Sequence, residues 1–546
     1  MIPEIKPEGS PEPKTEITSE VPPEPKTEIP PEIPAQPAPE ITPELPPAAV
    51  PRTRWQRLLH WEYFGLSIIV LVTLIFHFAS IPLSPNIVWD EKWYVGDARS
   101  IISGTGELRP EHPPLAKLFI VAGDYIFSGF KTPEKYSGAT VYQYVGSDKT
   151  ANTIIQVSDA TLFSTGQAIR IDSEQMDVKG VNVALNQITV ERETGGTVAA
   201  GHNMLVKIYV FTDNAFEWRF FSIIIGTIGV IVFYFICRKL KFSWKIAMVA
   251  TFLFAFEDMT FVHSGLALLD VYMVTFMLAA FLAYLDEQYL WMGVLLALSA
   301  NCKMNGVLIF IPIFIHWAIY RRDKWKEFSI SLAAAAVAFV FFLVWCDVFI
   351  THTIENPITR ITSMLSATSA NQFTIPKLSI SSRPWTWIYP QFVNPEYNSP
   401  FIAYSYDPQV VISFISTTIQ LLIVPTIGYL IYKAWKKSQT AVMLLLWFLA
   451  TYLLWIPITI ATNRVTFVFY FLPTTPAICI GIAMAISDWL DHLKKRRLEL
   501  NRISTGIALS YGGIGLYLLI HLAIWIAFNP GIPTMIRPLL SALNVH

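Results

Sequence analysis

Apolar runs recur along this chain at lengths that suit a bilayer, and that constrains its fold more than any other feature. Segments near 62–83, 219–237, 245–262, 266–285, 288–302, 304–320, 327–349, 409–432, 441–460, 464–487 and 507–528 are dominated by apolar residues. A span of the hydrocarbon core takes roughly 18 or more such residues, so the pattern predicts a polytopic α-helical membrane protein of about eleven transmembrane helices. The two short segments at 288–302 and 304–320 read as two helices or as one broken helix. The stretch 114–130 is also apolar, but it contains Gly123, Asp124 and Gly129 and reads as a helix lying at the interface. The chain is 53% hydrophobic and only 15% charged, against about 25% charged for water-soluble domains. A net charge of -1 gives no basic face of the kind a nucleic-acid binder needs.

Basic residues orient the helices. They cluster at Arg52, Arg54 and Arg57; at Arg238, Lys239, Lys241 and Lys245; at Arg321, Arg322, Lys324 and Lys326; at Lys433, Lys436 and Lys437; and at Lys494, Lys495, Arg496 and Arg497. With about eleven spans and a cytoplasmic N-terminus, every cluster falls on the cytoplasmic side. The first large outer loop is then 84–218 and the second 350–408, and the C-terminus after about 528 lies outside.

Composition divides the chain further. Residues 1–50 are rich in Pro and Glu, repeat Pro-Glu-Pro-Lys-Thr-Glu-Ile at 11–17 and 23–29, and lack the pattern of a cleavable signal peptide. They are expected to be a disordered cytoplasmic tail. Residues 51–137 hold the first span and the loop after it, and 211–546 hold the remaining spans. Between them, 138–210 alternates polar and apolar residues, as in Thr153-Ile154-Ile155-Gln156-Val157 and Gln187-Ile188-Thr189-Val190, with Gly, Asn and Asp at the breaks. Period-two runs so punctuated predict a small all-β insertion. Its stretch from Ile155 to His202 resembles small β domains of tail-fibre and other surface-associated proteins, which implies an interaction or spacer module. His202 and the nearby acids lack metal-ligand spacing and read as turn and surface residues. Cys237, Cys302, Cys346 and Cys479 lie in or beside apolar segments without C-x-x-C spacing, and read as packing residues.

The polar residues at the outer face carry the chemistry. Asp90-Glu91 sits in Ile87-Val88-Trp89-Asp90-Glu91-Lys92-Trp93-Tyr94, directly after the first span. Two carboxylates among aromatics at the lipid boundary suggest a base working on a substrate held there. Next comes Glu111-His112-Pro113-Pro114-Leu115-Ala116-Lys117, whose prolines break helix beside His112. Arg219, Asp270, Lys303 and Arg464 gather at the same face by this topology. Ionisable groups are costly beside a membrane and usually have a task or a partner. Carboxylates there could activate a nucleophile, and the cations could hold a phosphate. Plainer roles stand beside these: Arg219 and Arg464 as snorkelling side chains, Lys303 as a helix-end cap, Asp270 as one half of an interhelix pair, Lys117 as an interfacial cation.

Several of these motifs, in their order, resemble the protein O-mannosyltransferase family. They are Asp-Glu after the first span, His-Pro-Pro-Leu-x-Lys downstream, Arg219 opening the next span, and Leu268-Leu269-Asp270. Cys302-Lys303-Met304-Asn305-Gly306 is similar to the family's Ser-x-Lys-x-x-Gly region, and Ser382-Arg383-Pro384-Trp385-Thr386-Trp387 to the Pro-Trp-x-Trp segment of prokaryotic members. The resemblance covers about 61–130 and 215–490. It implies the GT-C fold, a polyprenyl-phosphate-mannose donor, a site at the extracytoplasmic face, and residence in a prokaryotic cell membrane. His112, Lys117, Arg219, Asp270, Lys303, Arg383, Trp385 and Arg464 are the implied substrate-binding residues. There are departures. The family's Ser-Arg before the Leu-Asp motif reads Ser264-Gly265 here, 350–408 is too short for the β-trefoil domain of eukaryotic members, and the β insertion lies in the first loop instead.

The resemblance further implies an inverting transfer of mannose from a β-linked lipid phosphate to a Ser or Thr hydroxyl of a protein. The residue types fit such a step. Asp90 is the candidate base, with Glu91 orienting the acceptor or shaping the pocket. The leaving lipid phosphate needs cations rather than a proton donor, so no metal is expected to be obligatory. Two other readings remain: a GT-C enzyme moving a different lipid-linked sugar to a glycolipid or wall polymer, and a transporter or flippase. The latter predicts internal repeats and charges at the midplane, whereas the charges here gather at one face.

Overall fold

The computed structural model of the protein describes residues 63–148, 153–369, 381–388, 404–406, 411–500 and 504–529. The Pro/Glu-rich tail at 1–50, the basic cluster at Arg52, Arg54 and Arg57, and much of the 350–408 loop lie outside the described residues.

Helix α1 (Phe64–Ser80) leads into an irregular loop, then α2 (Glu91–Ile102) and α3 (Leu115–Phe127). After the β insertion come α4 (Ala215–Lys239), α5 (Trp244–Ala255), α6 (Asp258–Gly265), α7 (Leu269–Leu285), α8 (Tyr289–Cys302), α9 (Phe310–Tyr320) and α10 (Trp325–Thr351). The chain continues through α11 (Pro357–Ser369), α12 (Thr417–Trp435), α13 (Gln439–Phe448), α14 (Trp455–Thr462), α15 (Thr475–Leu500) and α16 (Ser504–Phe528). Among the described residues, six helical stretches are long and apolar enough to cross a membrane: Phe64–Leu83, Ala215–Lys239, Arg322–Thr351, Gln439–Thr462, Val468–Lys495 and Gly506–Phe528. A seventh results if α5 and α6, bent by 64°, form one span. Leu269–Leu285, Tyr289–Cys302 and Met304–Tyr320 are shorter apolar helices.

The helix breaks matter more than the helices, because a broken backbone at membrane depth must find hydrogen-bond partners inside the protein. Between α5 and α6, buried Glu257 accepts from the Thr260 amide at 2.6 Å and hydroxyl at 2.7 Å and from the Ser416 amide at 3.1 Å. Between α6 and α7, Leu266 and Leu268 are extended. After α8, Lys303 is extended (φ -159°, ψ 130°) before a 3-10 turn at Met304–Ile309 leads into α9. The first and third breaks bring the charged side chains of Glu257 and Lys303 into an otherwise apolar core.

The insertion is a six-stranded antiparallel sheet of β1 (Glu134–Thr140), β2 (Thr153–Gln156), β3 (Ala168–Ile171), β4 (Glu174–Asn182), β5 (Gln187–Thr194) and β6 (Lys207–Phe211), in the order β1-β6-β3-β4-β5-β2. It has its own core, with Ile155, Ile169, Ile171, Met176, Val178, Ile188, Val190 and Ile208 inside. The alternation in sequence explains this: Ile188 and Val190 point in, while Glu191 between the buried Val190 and Arg192 is exposed. His202 is buried, with Nδ1 2.8 Å from Asp172 and Nε2 2.9 Å from Glu174. Glu174 in turn accepts from Arg192 Nε at 3.0 Å and Nη2 at 2.6 Å. The histidine thus ties the 195–202 loop to the sheet.

Candidate active site

The loop between α1 and α2 is held by one buried ion pair. Glu91 Oε1 accepts from Arg219 Nε at 2.7 Å and from the Ala267 amide at 2.8 Å. Its Oε2 accepts from Arg219 Nη2 at 2.7 Å and from the Val88 amide at 2.9 Å. Arg219 also donates to the carbonyls of Ser84 at 2.6 Å and Asn86 at 3.0 Å. One carboxylate therefore joins three chain segments: the loop, the first turns of α4, and the break between α6 and α7. Asp90, its neighbour, is half-buried at the N-terminus of α2. Residue i+1 does not share the face of residue i at a helix start, so the two carboxylates have separate surroundings. Trp89, just before them, has a left-handed backbone (φ +46°), which is unusual for so bulky a residue.

A second buried network holds the His112 segment. Lys117 is fully buried on α3. Its ammonium is 2.8 Å from Asp97 Oδ2 and also bonds Glu107 Oε1 and the Arg109 carbonyl. Asp97 Oδ1 accepts from the amides of Leu108 at 2.8 Å and Arg109 at 3.0 Å. Arg360, from α11, reaches Glu107 at 2.6 Å and the Pro110 carbonyl at 2.7 Å. Pro113 and Pro114 are buried and α3 starts directly after them. The segment carrying Glu111 and His112 is thus fastened on both sides.

On the facing helices, Lys303 donates to both oxygens of Asp270 at 2.8 Å. Its ammonium also lies 5.2 Å from the Phe469 ring and 5.7 Å from the Tyr470 ring. Asp270 sits in the first turn of α7 and Lys303 at the break after α8. Arg464 is half-buried beside the Trp455 ring at 5.9 Å, and among the described residues no carboxylate lies within ion-pair distance of it. Arg383 Nη2 donates to Asn463 at 3.2 Å, and its guanidinium lies 5.7 Å from the Trp385 ring. The Ser382 amide donates to the Thr466 carbonyl at 2.9 Å, and Thr466 Oγ1 to the Ser382 carbonyl at 2.6 Å. These bonds place Arg383 and Arg464 on one strip, with Trp385 exposed beside them.

Two groups register this assembly electrostatically. Burial first, then the negative charges of Asp90, Asp270 and Glu111, push the Tyr94 phenol well above its ordinary range. Burial first, then the cations Lys303, Lys117, Arg464 and Arg109, push His112 well below the usual imidazole range. The two rings are 6.2 Å apart. Asp90, His112, Asp270, Lys303 and Arg464 are therefore gathered around Tyr94 and His112, with Arg383 and Trp385 alongside Arg464. Glu91, Arg219 and Lys117 lie buried behind that group. The arrangement offers a carboxylate, a neutral imidazole and several cations in one space: a base for a hydroxyl and positive charge for an anionic leaving group. Among the described residues, no group of three or more His, Cys, Asp or Glu side chains is arranged to hold a metal ion.

Sequence reasoning did not single out Tyr94, Asp97, Glu107, Arg360 or Asn463. Tyr94 stood within the aromatic flank of Asp90, and Asn463 carries the left-handed backbone (φ +51°) that turns the chain toward Arg464. Gly265, where the resemblance implies arginine, packs on His77: a Cβ there would meet the His77 ring at 3.0 Å.

Residues 201–358 match the family model for dolichyl-phosphate-mannose-protein mannosyltransferase. Over that stretch the chain is similar to the protein O-mannosyltransferase family. The fold is that of the GT-C membrane glycosyltransferases. The family match covers Arg219, Asp270 and Lys303, while Asp90 and His112 precede it. Among solved structures, the S. cerevisiae protein O-mannosyltransferase complex bound to the sugar donor has a TM-score of 0.57 at 11% identity, over 86% of this chain and 90% of that one. ArnT from Cupriavidus metallidurans bound to undecaprenyl phosphate follows at 0.48 and 12% identity, over 86% of this chain and 77% of that one. The apo Archaeoglobus fulgidus oligosaccharyltransferase gives 0.46 at 12% identity, over 87% of this chain and 57% of that one. No curated protein sequence matches the chain.

Proposed function

We propose that this protein transfers mannose from a polyprenyl-phosphate-mannose donor to Ser or Thr hydroxyls of proteins, with inversion, at the extracytoplasmic face. The observation that carries the reading is the division of labour in the Asp90-Glu91 pair. Glu91 accepts four hydrogen bonds that fix the loop, and this leaves Asp90 at the helix start beside Tyr94 with Asp270, His112 and Lys303 around it.

In the proposed step the acceptor oxygen attacks C1 of the mannose and its proton passes to Asp90. The bond from C1 to the phosphate oxygen breaks, and the lipid phosphate leaves with the electron pair. Arg464 and Arg383 balance its charge, and Lys303 adds to the positive field while held by Asp270. His112, neutral at pH 7 by its surroundings, accepts a hydrogen bond from a sugar hydroxyl. Lys117 acts from behind, by holding the His112 segment.

The test is transfer of labelled mannose from polyprenyl-phosphate-mannose to a Ser/Thr-rich peptide in membranes, for wild type and Asp90→Asn. Transfer by wild type alone supports both donor class and base. Full transfer by Asp90→Asn would overturn the assignment of the base.

A further inference from the structure

Helix α2 is fixed from behind by the β insertion. A Cβ on Gly96 would lie 2.2 Å from the Gly195 carbonyl oxygen, so the two backbones touch with no room for a side chain. Gln175 Nε2 donates to the Gly96 carbonyl at 3.1 Å, and Arg99 Nε to Asp213 Oδ2 at 2.9 Å. Residues two apart on an α-helix point to nearly opposite sides. With Gly96 against the sheet, Tyr94 therefore points away from it. Tyr94 also follows Asp90 by four residues, and its amide donates to the Asp90 carbonyl at 3.4 Å. Side chains at that spacing share one helix face, so the base and the phenol look into the same space.

The body of Tyr94 and its tip have different surroundings. The residue is only 7% exposed and its ring belongs to the main core. Among the described residues, however, its hydroxyl makes no hydrogen bond, and its oxygen is not closed off from open space. The same holds for the ring nitrogens of His112, whose ring centre is 6.2 Å away. Polar groups inside a protein are nearly always paired, because leaving one unpaired is destabilising. The neighbours define the partner that suits these two. The carboxylates of Asp90, Asp270 and Glu111 lie close enough to act on the phenol, and a carboxylate only accepts hydrogen bonds. Burial first, then those charges, keep the phenol protonated, so it donates throughout the physiological pH range. A ligand among these groups must both donate to carboxylates and accept from a phenol, which is what hydroxyls do. A polyol offers several hydroxyls and no charge, whereas a phosphate only accepts and is repelled by the carboxylates.

We infer that Tyr94 is a substrate-contacting residue for the sugar: its hydroxyl donates a hydrogen bond to an oxygen of the mannosyl unit of the donor, beside His112. The inference rests on the donor reading above and deepens it. Tyr94 becomes a residue by which the site tells a sugar-bearing lipid phosphate from a bare one, and the insertion becomes the support that aims it.

Tyr94→Phe removes one oxygen and keeps the ring that the core packs on, so the variant should melt like wild type. Binding of polyprenyl-phosphate-mannose to the full-length protein in nanodiscs should weaken about three- to tenfold. Binding of polyprenyl phosphate should not change. Among donors that carry a deoxymannose, one should bind wild type and Tyr94→Phe equally, because it lacks the oxygen that the phenol contacts. Equal weakening of both lipids, or a lower melting temperature, would overturn the inference by giving the hydroxyl a structural role. A change confined to the KM of the acceptor peptide would overturn it too, by placing the hydroxyl on the acceptor. Wild type that binds the two lipids alike would sink the donor reading and the inference with it. A wild-type preference for the sugar-bearing lipid that Tyr94→Phe keeps in full would sink the inference alone.

Discussion

Glu91 and Arg219 are 128 positions apart in the chain and meet at 2.7 Å through two parallel hydrogen bonds. Both side chains are buried. Removing one partner of a buried pair leaves a charge stranded, at a cost of about 3–5 kcal/mol. Glu91→Ala or Arg219→Ala should therefore lower the unfolding temperature in detergent and weaken activity through the Asp90 loop. Arg219→Lys should recover only part, because an ammonium cannot reach Glu91, Ser84 and Asn86 together. An unchanged melting temperature in Glu91→Ala would refute the clamp.

Asp90→Asn should behave differently. The half-buried side chain sits outside the clamp, so the variant should melt like wild type while transfer falls about 100- to 10,000-fold, the usual range for a lost general base. Comparing melting and turnover for Asp90→Asn and Glu91→Gln separates the two roles of this adjacent pair.

Arg464 has an aromatic neighbour but, among the described residues, no carboxylate within ion-pair distance. If it holds the lipid phosphate, Arg464→Ala loses a charged hydrogen bond of about 1.5–3 kcal/mol. Donor KM should rise about tenfold or more, and KM for the peptide should change far less. Equal effects on both would argue against a phosphate contact.

His202 gives the insertion a pH dependence. Burial opposes its charge, but the hydrogen bonds and charges of Glu174 and Asp172 outweigh burial and raise its pKa above the ordinary value of 6.5. A raised histidine pKa stabilises the fold fully below the unfolded value, and the contribution is lost as pH rises through the folded one. The protection of β3 to β5 amides against hydrogen exchange, relative to their intrinsic rates, should thus fall as pH rises above the ordinary histidine value of 6.5. His202→Gln should flatten that slope. Glu174 titrates in the other direction: burial opposes its charge, yet His202 and Arg192 hold it down to about 2, so its contribution fades only as pH falls from the carboxylate range toward that value.

Much of this was legible in the sequence because the forces involved are local. Apolar length marked the helices, period-two alternation marked the strands, and Pro113-Pro114 marked the start of α3. What could not be read were pairings between distant segments. Glu107 and Arg360 are 253 positions apart, and nothing near either residue announces the other. Lys117 shows the consequence. The resemblance implied a substrate contact for it and the plainer reading an interfacial cation, and it lies fully buried between Asp97 and Glu107. The Asp270–Lys303 pair was foreseen in part, as an interhelix pair and as a helix-end residue. That the two are one contact follows from the break after α8, which composition does not reveal.

The contact of Gly96 with Gly195 has a consequence for inheritance. Neither position can gain a side chain without prising the sheet from the helix, and Gly195 also has a left-handed backbone (φ +62°). Two positions 99 apart in number are therefore both held to glycine by one contact. A recombinant that received the insertion without glycine at the receiving helix would carry a folded sheet with nowhere to sit. The insertion and α2 form a single heritable part, one that reaches past the ends of the sheet into the helix before it.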